Sequence, residues 1–180
     1  ACLQGEIDVA ALERGRDAAG QVLSEYLDIF GRGNFYLELM DHGLEDQKQV
    51  NRILLQLARE CDVPLVCTND VHYLRREDAK AQEIMLCIQT RTTMSDERRM
   101  RMEKDEFYFK SPEEMAQIWE NEAPEGLSNT LAIAERCNVT IGYTNHYPEF
   151  TPPQSFTNTL DLGAIRAESQ SEVEAEIAKE

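Results

Sequence analysis

The sequence predicts an α/β fold with parallel strands, followed by a mostly helical segment. Short Val-rich or Leu-rich apolar runs alternate with stretches in which apolar residues recur at period 3.6. They follow one another as strand, helix, strand, helix within about 55 residues, the pattern of parallel α/β architecture. Beyond residue 110 a helix-start motif and two further helical stripes predict helices alone.

Each element has its own signal. Val22, Leu23, Tyr26, Leu27 and Phe30 form a helical stripe, which Gly31 and Gly33 end. Phe35 to Met40 reads as a short strand, with Gly43 in the turn beyond it. Val50, Ile53, Leu54, Leu57, Ala58 and Cys61 mark a second amphipathic helix, and the apolar run Val63 to Thr68 reads as a buried strand. Ala81, Ile84, Met85 and Ile88 mark a third helix. Residues 91–106 interleave Arg98, Arg99, Arg101 and Lys104 with Asp96, Glu97, Glu103 and Asp105. They are expected to form a solvated loop, the alternative being a phosphate-contacting patch. Phe107 to Lys110 is expected as a short edge strand. Ser111-Pro112-Glu113-Glu114 then forms a capping box with Pro at the first helical position, opening a helix with Met115, Ile118 and Trp119. Leu127, Leu131 and Ala134 stripe a last helix running to about Cys137. Tyr147 to Pro153 reads as a Pro-rich linker. The 30 residues after Phe150 hold six acids and two bases, so the acidic tail is expected to pack poorly. No internal repeats occur.

Composition narrows the function classes. The 180 residues are 42% hydrophobic, enough for a real core. Eighteen Lys and Arg against 34 Asp and Glu leave a net charge of −16, which disfavours nonspecific nucleic-acid binding through bulk charge. No apolar run approaches the roughly 18–20 residues of a membrane-spanning helix, and the start lacks the basic and apolar regions of a signal peptide. A first residue other than Met predicts an internal fragment or a processed product. The five cysteines, Cys2, Cys61, Cys67, Cys87 and Cys137, are odd in number and widely spaced. They are expected to be reduced, buried thiols of a cytosolic protein.

The sharpest chemical feature is Thr68-Asn69-Asp70-Val71-His72-Tyr73, directly after the second strand. On an extended chain Asp70 and His72 point to the same side, where a carboxylate and an imidazole can share a divalent metal. Asp-x-His alone is a weak motif that more often marks ordinary surface or hydrogen-bonded residues. Cys2 reads on its own as a small buried hydrophobe. Glu38, inside an apolar strand, needs a partner and reads as a strand-end ion pair or a functional acid. Asp41 and His42 read as turn residues at the strand's end, and His146 as exposed. Gly-rich phosphate loops, Gly-x-Ser-x-Gly elbows, His-Glu-x-x-His helices and paired CxxC motifs are absent from the sequence.

Several ordered motifs resemble one family. Phe35-Tyr36-Leu37-Glu38-Leu39-Met40-Asp41-His42-Gly43, Val63 to Tyr73, and Glu83-Ile84-Met85-Leu86-Cys87-Ile88-Gln89-Thr90 are similar to successive segments of the bacterial replicative DNA polymerase III alpha subunit. Phe107 to Met115 and Leu131 to Val139 resemble its next segments, and Ala1-Cys2-Leu3-Gln4-Gly5-Glu6-Ile7 resembles its Cys-Leu-x-Gly-Glu motif. The resemblance spans residues 1 to about 153. It implies that residues 1–90 are the later part of a polymerase-and-histidinol-phosphatase (PHP) domain, a partial TIM-like barrel, and that 91–153 lead toward a polymerase palm. Residues 154–180 form the acidic tail. It further implies metal ligands Cys2, Asp70 and His72, with Glu38 and Asn69 as candidates to back them, and Zn, Mn or Mg as the metal. The family's other ligands and its palm carboxylates have no counterpart here, so no catalytic residue is assigned and the isolated chain is expected to be inactive. For the whole protein the resemblance implies a cytoplasmic DNA-directed DNA polymerase acting on primer-template DNA and dNTPs. Its implied partners are a sliding clamp and a proofreading exonuclease subunit, and its PHP site would support 3′–5′ proofreading. A PHP-type metal-dependent phosphoesterase and a non-catalytic PHP scaffold are the alternatives.

Overall fold

The computed structural model describes residues 3–145 and 147. The chain divides into two units, Ala1–Asn138 and Val139–Glu180. All helices and strands among the described residues lie in the first; the described residues of the second are in neither. The acidic tail, His146 and Cys2 lie outside the described residues.

The first unit opens with a helical pair, α1 (Glu6–Arg14) and α2 (Arg16–Phe30). Gly15, at φ 85°, breaks the helix between them, a conformation that costs glycine little. The apolar periodicity in the sequence starts at Val22 and gives no signal for α1. The buried face of α1 is made of Ile7, Asp8, Ala10 and Ala11, too small and mixed to stand out as an apolar stripe.

Strand β1 (Leu37–Leu39), helix α3 (Glu45–Cys61) and strand β2 (Leu65–Cys67) form the βαβ unit that the alternating periods predicted. The strands pair in parallel, with Leu37 opposite Leu65, Glu38 opposite Val66 and Leu39 opposite Cys67. Val50, Leu54, Leu57 and Ala58 of α3 close over this sheet at i, i+3/i+4 spacing. With Leu23 of α2 and Leu37, Leu39 and Leu65 of the strands they form the core. Helix α3 stops at Asp62, a left-handed residue with φ 54° whose amide donates back to Ala58 O. The sheet of the described residues has these two strands, so the fold they show is mixed α/β with a small parallel sheet.

Helix α4 (Ala79–Thr90) follows a 3₁₀ turn. The 91–106 stretch is a loop of largely exposed residues, as expected. Arg99 is half-buried, with Nη2 2.5 Å from Glu83 Oε1 of α4. Residues 107–110 correct the edge-strand expectation. They make a single parallel bridge, Tyr73 to Tyr108, because the Tyr108 carbonyl is taken by the Asn69 side chain at 2.6 Å rather than by a ladder partner.

Helix α5 (Pro112–Trp119) begins with the predicted capping box. Glu114 N donates to Ser111 Oγ at 3.3 Å, and Ser111 N donates to Glu114 Oε2 at 2.8 Å. Ser111→Ala removes one reciprocal half of this cap. It is expected to lower stability by about 1 kcal/mol, read as a reduced urea midpoint with unchanged slope. Helix α6 (Pro124–Arg136) lies directly against β2, and Asn129 Nδ2 donates to Leu65 O at 2.8 Å. Among the cysteines, Cys67 and Cys87 are buried and Cys61 half-buried, all three free thiols. Cys137 corrects the expectation: it is exposed, because α6 ends at Arg136 and the chain leaves the core there.

Candidate functional site

Of the described residues that the sequence singles out, Asp41, His42, Asn69, Asp70 and His72 lie just beyond the ends of β1 and β2. Beyond Cys67 the chain runs without regular structure through Thr68, Asn69, Asp70, Val71 and His72. Asp70 Oδ1 lies 3.6 Å from His72 Nδ1, so the two side chains share one side of the loop, as their spacing predicts. Both are partly exposed. His72 Nδ1 also lies 3.0 Å from the Asp70 carbonyl oxygen, which fits an Nδ1–H donating there and leaves the Nε2 lone pair outward. Glu38 is half-buried on β1 and its Oε1 accepts from Thr68 Oγ1 at 2.7 Å. Burial pushes the Glu38 carboxyl up, but hydrogen bonds, that from Thr68 among them, outweigh it and hold the group below its ordinary value.

The loop is held on two sides. From one side, residues 107–110 clamp it: His72 N donates to Phe107 O at 2.8 Å, Phe109 N to Tyr73 O at 3.1 Å, and Asn69 Nδ2 to Tyr108 O. Asn69 Oδ1 also lies 3.4 Å from Lys110 Nζ, so Asn69 ties the two segments together. A charged girdle fixes the clamp in turn. Arg76 pairs with Glu106 at 2.5 Å and with Asp105 at 3.3 Å, and Tyr108 OH donates to Glu114 at 2.7 Å. The Arg76 guanidinium and the Lys110 ammonium both lie over the Tyr108 ring, 4.8 and 4.5 Å from its centre.

From the other side comes His42, which by sequence alone is a turn residue. It is fully buried, at 0% exposure. Its ring stacks parallel on Phe107 at 4.3 Å, and its Nε2 lies 3.2 Å from the Asp70 backbone N. Burial, reinforced by the Lys110 ammonium, holds the imidazole below its ordinary pKa, which favours the neutral ring. A short turn after β1 had no signal for this, since the burial of His42 comes from Phe107, far along the chain.

Chemically, the site presents one imidazole nitrogen and one carboxylate, donors that suit a borderline divalent cation together with a thiolate. Among the described residues no group of three or more His, Cys, Asp and Glu is arranged to hold a metal ion. The third expected donor, Cys2, lies outside the described residues.

No family model matches the sequence. Curated relatives do. The chain is 44% identical over 140 residues to DNA polymerase III subunit alpha of Treponema pallidum (strain Nichols), an alignment covering 78% of this chain and 12% of that protein. It is 45% identical over 167 residues to DNA polymerase III subunit alpha of Thermus aquaticus, covering 89% of this chain and 14% of the relative. The chain is homologous to a segment of the DNA polymerase III alpha subunit. DNA polymerase III subunit alpha of Borreliella burgdorferi is 48% identical over 139 residues, 77% of this chain and again 12% of the relative. The chain thus spans about an eighth of the length of the DNA polymerase III alpha subunits it matches. Among the described residues no helix is long and apolar enough to cross a membrane.

Proposed function

We propose that this chain is part of a replicative DNA polymerase. In this reading residues 1–90 are the later portion of a PHP domain, a partial TIM-like barrel, and 91–153 the connection toward the palm. The palm would use Mg²⁺ to join dNTPs to a primer-template, and the whole protein would work with a sliding clamp and an exonuclease subunit. Asp70, His72 and Cys2 would help hold a divalent ion, Zn, Mn or Mg. When bound, that ion would supply Lewis-acid polarisation of a phosphodiester and activation of water, the chemistry of 3′–5′ proofreading. The chain's own residues orient the donors: the Asp70 carbonyl keeps His72 Nε2 free, and Asn69 and Phe107 hold the loop. The observation that carries the reading is the approach of Asp70 and His72 on one side of the loop, within a sequence homologous to DNA polymerase III alpha subunits.

The chain alone is expected neither to extend a labelled primer nor to degrade it with Mn²⁺, Mg²⁺ or Zn²⁺. Cys2, Asp70 and His72 are too few to hold a catalytic metal cluster, and a net charge of −16 opposes docking on DNA. In the whole polymerase, Asp70→Asn is expected to reduce metal retention while primer extension stays within about twofold, since a neutral amide is a poorer ligand than a carboxylate. Turnover by the purified chain that survives repurification and vanishes in Asp70→Asn would make the segment an enzyme in its own right. Unchanged metal content in Asp70→Asn polymerase would remove the ligand assignment.

A further inference from the structure

We propose that His42 is a positioning residue that sets the geometry of the Asp70–His72 loop from beneath. The value of that geometry rests on the metal reading above; the geometry itself does not. The β1 end and the first turn of α3 hold His42 in place. Gln47 Oε1 accepts from His42 N at 2.8 Å, Gln47 Nε2 lies 2.9 Å from ring Nδ1, and Asn51 Nδ2 donates to Met40 O at 2.9 Å. Gly43 N donates to Asp41 Oδ1 at 2.7 Å, closing the turn that points the ring inward. Gly43 has φ 75°, so this turn uses a backbone conformation that glycine adopts freely.

The ring then reaches both ends of the loop. At the Asp70 end, Nε2 faces the Asp70 backbone N at 3.2 Å and the Asn69 side chain. Gln47 Nε2 donates to Nδ1, because its Oε1 accepts from His42 N, so the neutral ring keeps its proton on Nε2 and turns a donor toward the Asn69 side chain. At the His72 end the contact runs through one intermediary. Phe107 lies flat on His42 at 4.3 Å and presents its ring at 88° to His72 at 5.6 Å. A fully buried imidazole is an expensive way to fill space that Phe or Leu would fill without a desolvation cost. What His42 adds over an apolar residue is an edge that addresses Asn69 and Asp70. Partners of this kind behind metal ligands typically change metal affinity about 10–100-fold when removed.

His42→Phe keeps a flat ring against Phe107 and removes both nitrogens. In the purified chain, amide hydrogen exchange at Asp70 and His72 is expected to speed up about tenfold or more, with the core amides of Leu54 and Leu57 unchanged. His42→Gln, which keeps a polar tip without the aromatic stack, is expected to recover much of the protection at Asp70. Loop exchange at the wild-type rate in His42→Phe overturns the proposal. So does faster exchange that is shared equally by loop and core in both variants, because that describes a packing role. In the whole polymerase, His42→Phe is expected to weaken Mn²⁺ or Zn²⁺ binding about tenfold. A wild-type polymerase that binds neither ion overturns the metal reading and leaves the exchange result to decide the role of His42.

Discussion

Gly126→Ala is expected to destabilise the chain by about 2 kcal/mol, although alanine is the better helix former. Gly126 lies in α6, where the helix crosses β2. A Cβ built there falls 2.5 Å from Cys67 Sγ, 3.3 Å from the Cys67 backbone N and 3.6 Å from Leu65 Cβ. The first distance is far inside van der Waals contact, and the thiol it meets is 2% exposed in the middle of the core. Cys67 sits on a strand locked by the β1 ladder on one side and by Asn129 on the other, so neither partner can retreat cheaply. Helix propensity returns about 1 kcal/mol, and an overlap this close puts overpacking near the top of its usual range of about 1–3 kcal/mol, so a loss of about 2 kcal/mol remains. The clash therefore wins. Burial also pushes the Cys67 thiol up to about 12, with the Glu125 carboxylate adding to it, so the sulfur is a packed neutral atom and not a nucleophile. A denaturant-unfolding cycle with Cys67→Ala checks the cause. The double variant should recover most of the loss, and a Gly126→Ala cost that ignores Cys67 would mean that the strain lies elsewhere.

This contact also marks the limit of what the sequence could say. Both β1 and β2 were legible because a short apolar run between turn signals has few other uses, and α3 because its stripe holds period over four turns. The pairing of Asp70 with His72 was legible for a similar reason: a two-residue spacing on extended chain fixes the side on which both point. Residues 107–110 read as a strand because they are apolar and do bond the Tyr73 backbone, but the Tyr108 carbonyl goes to the Asn69 side chain, and one bridge is all the ladder that remains. Helix α1 was missed because burying Ala10 and Ala11 against a neighbour leaves no large apolar stripe to detect. The role of His42 was the least legible. Asp-His-Gly reads as a turn, and it is one. That the same turn drives an imidazole between Gln47 and Phe107 depends on tertiary contacts that no local pattern encodes.

Asp8→Asn is expected to stabilise the chain at neutral pH by about 2 kcal/mol, and by progressively less as the solution is made acidic. Asp8 is 3% exposed on the buried face of α1. Burial, with the Glu38 carboxylate adding to it, raises its pKa from 3.8 to about 6. Between those values the folded chain keeps a proton that the unfolded chain has already released. The unfolding free energy therefore falls as pH rises through this window, and the group's contribution is fully present below about pH 4 and gone above about pH 6–7. A difference of about two pKa units corresponds to roughly 3 kcal/mol at neutral pH. Against this, Asp8 lies in the first turn of α1, where a negative charge gains about 0.3–1 kcal/mol from the helix dipole that Asn forfeits. The remainder, about 2 kcal/mol, favours the amide. Urea titrations of both proteins from pH 4 to 8 test this directly. The two stabilities should converge at the acidic end and separate with rising pH, the wild type falling more steeply. Parallel pH profiles, or a variant less stable than wild type at pH 8, would show that the Asp8 carboxylate is satisfied in its charged form.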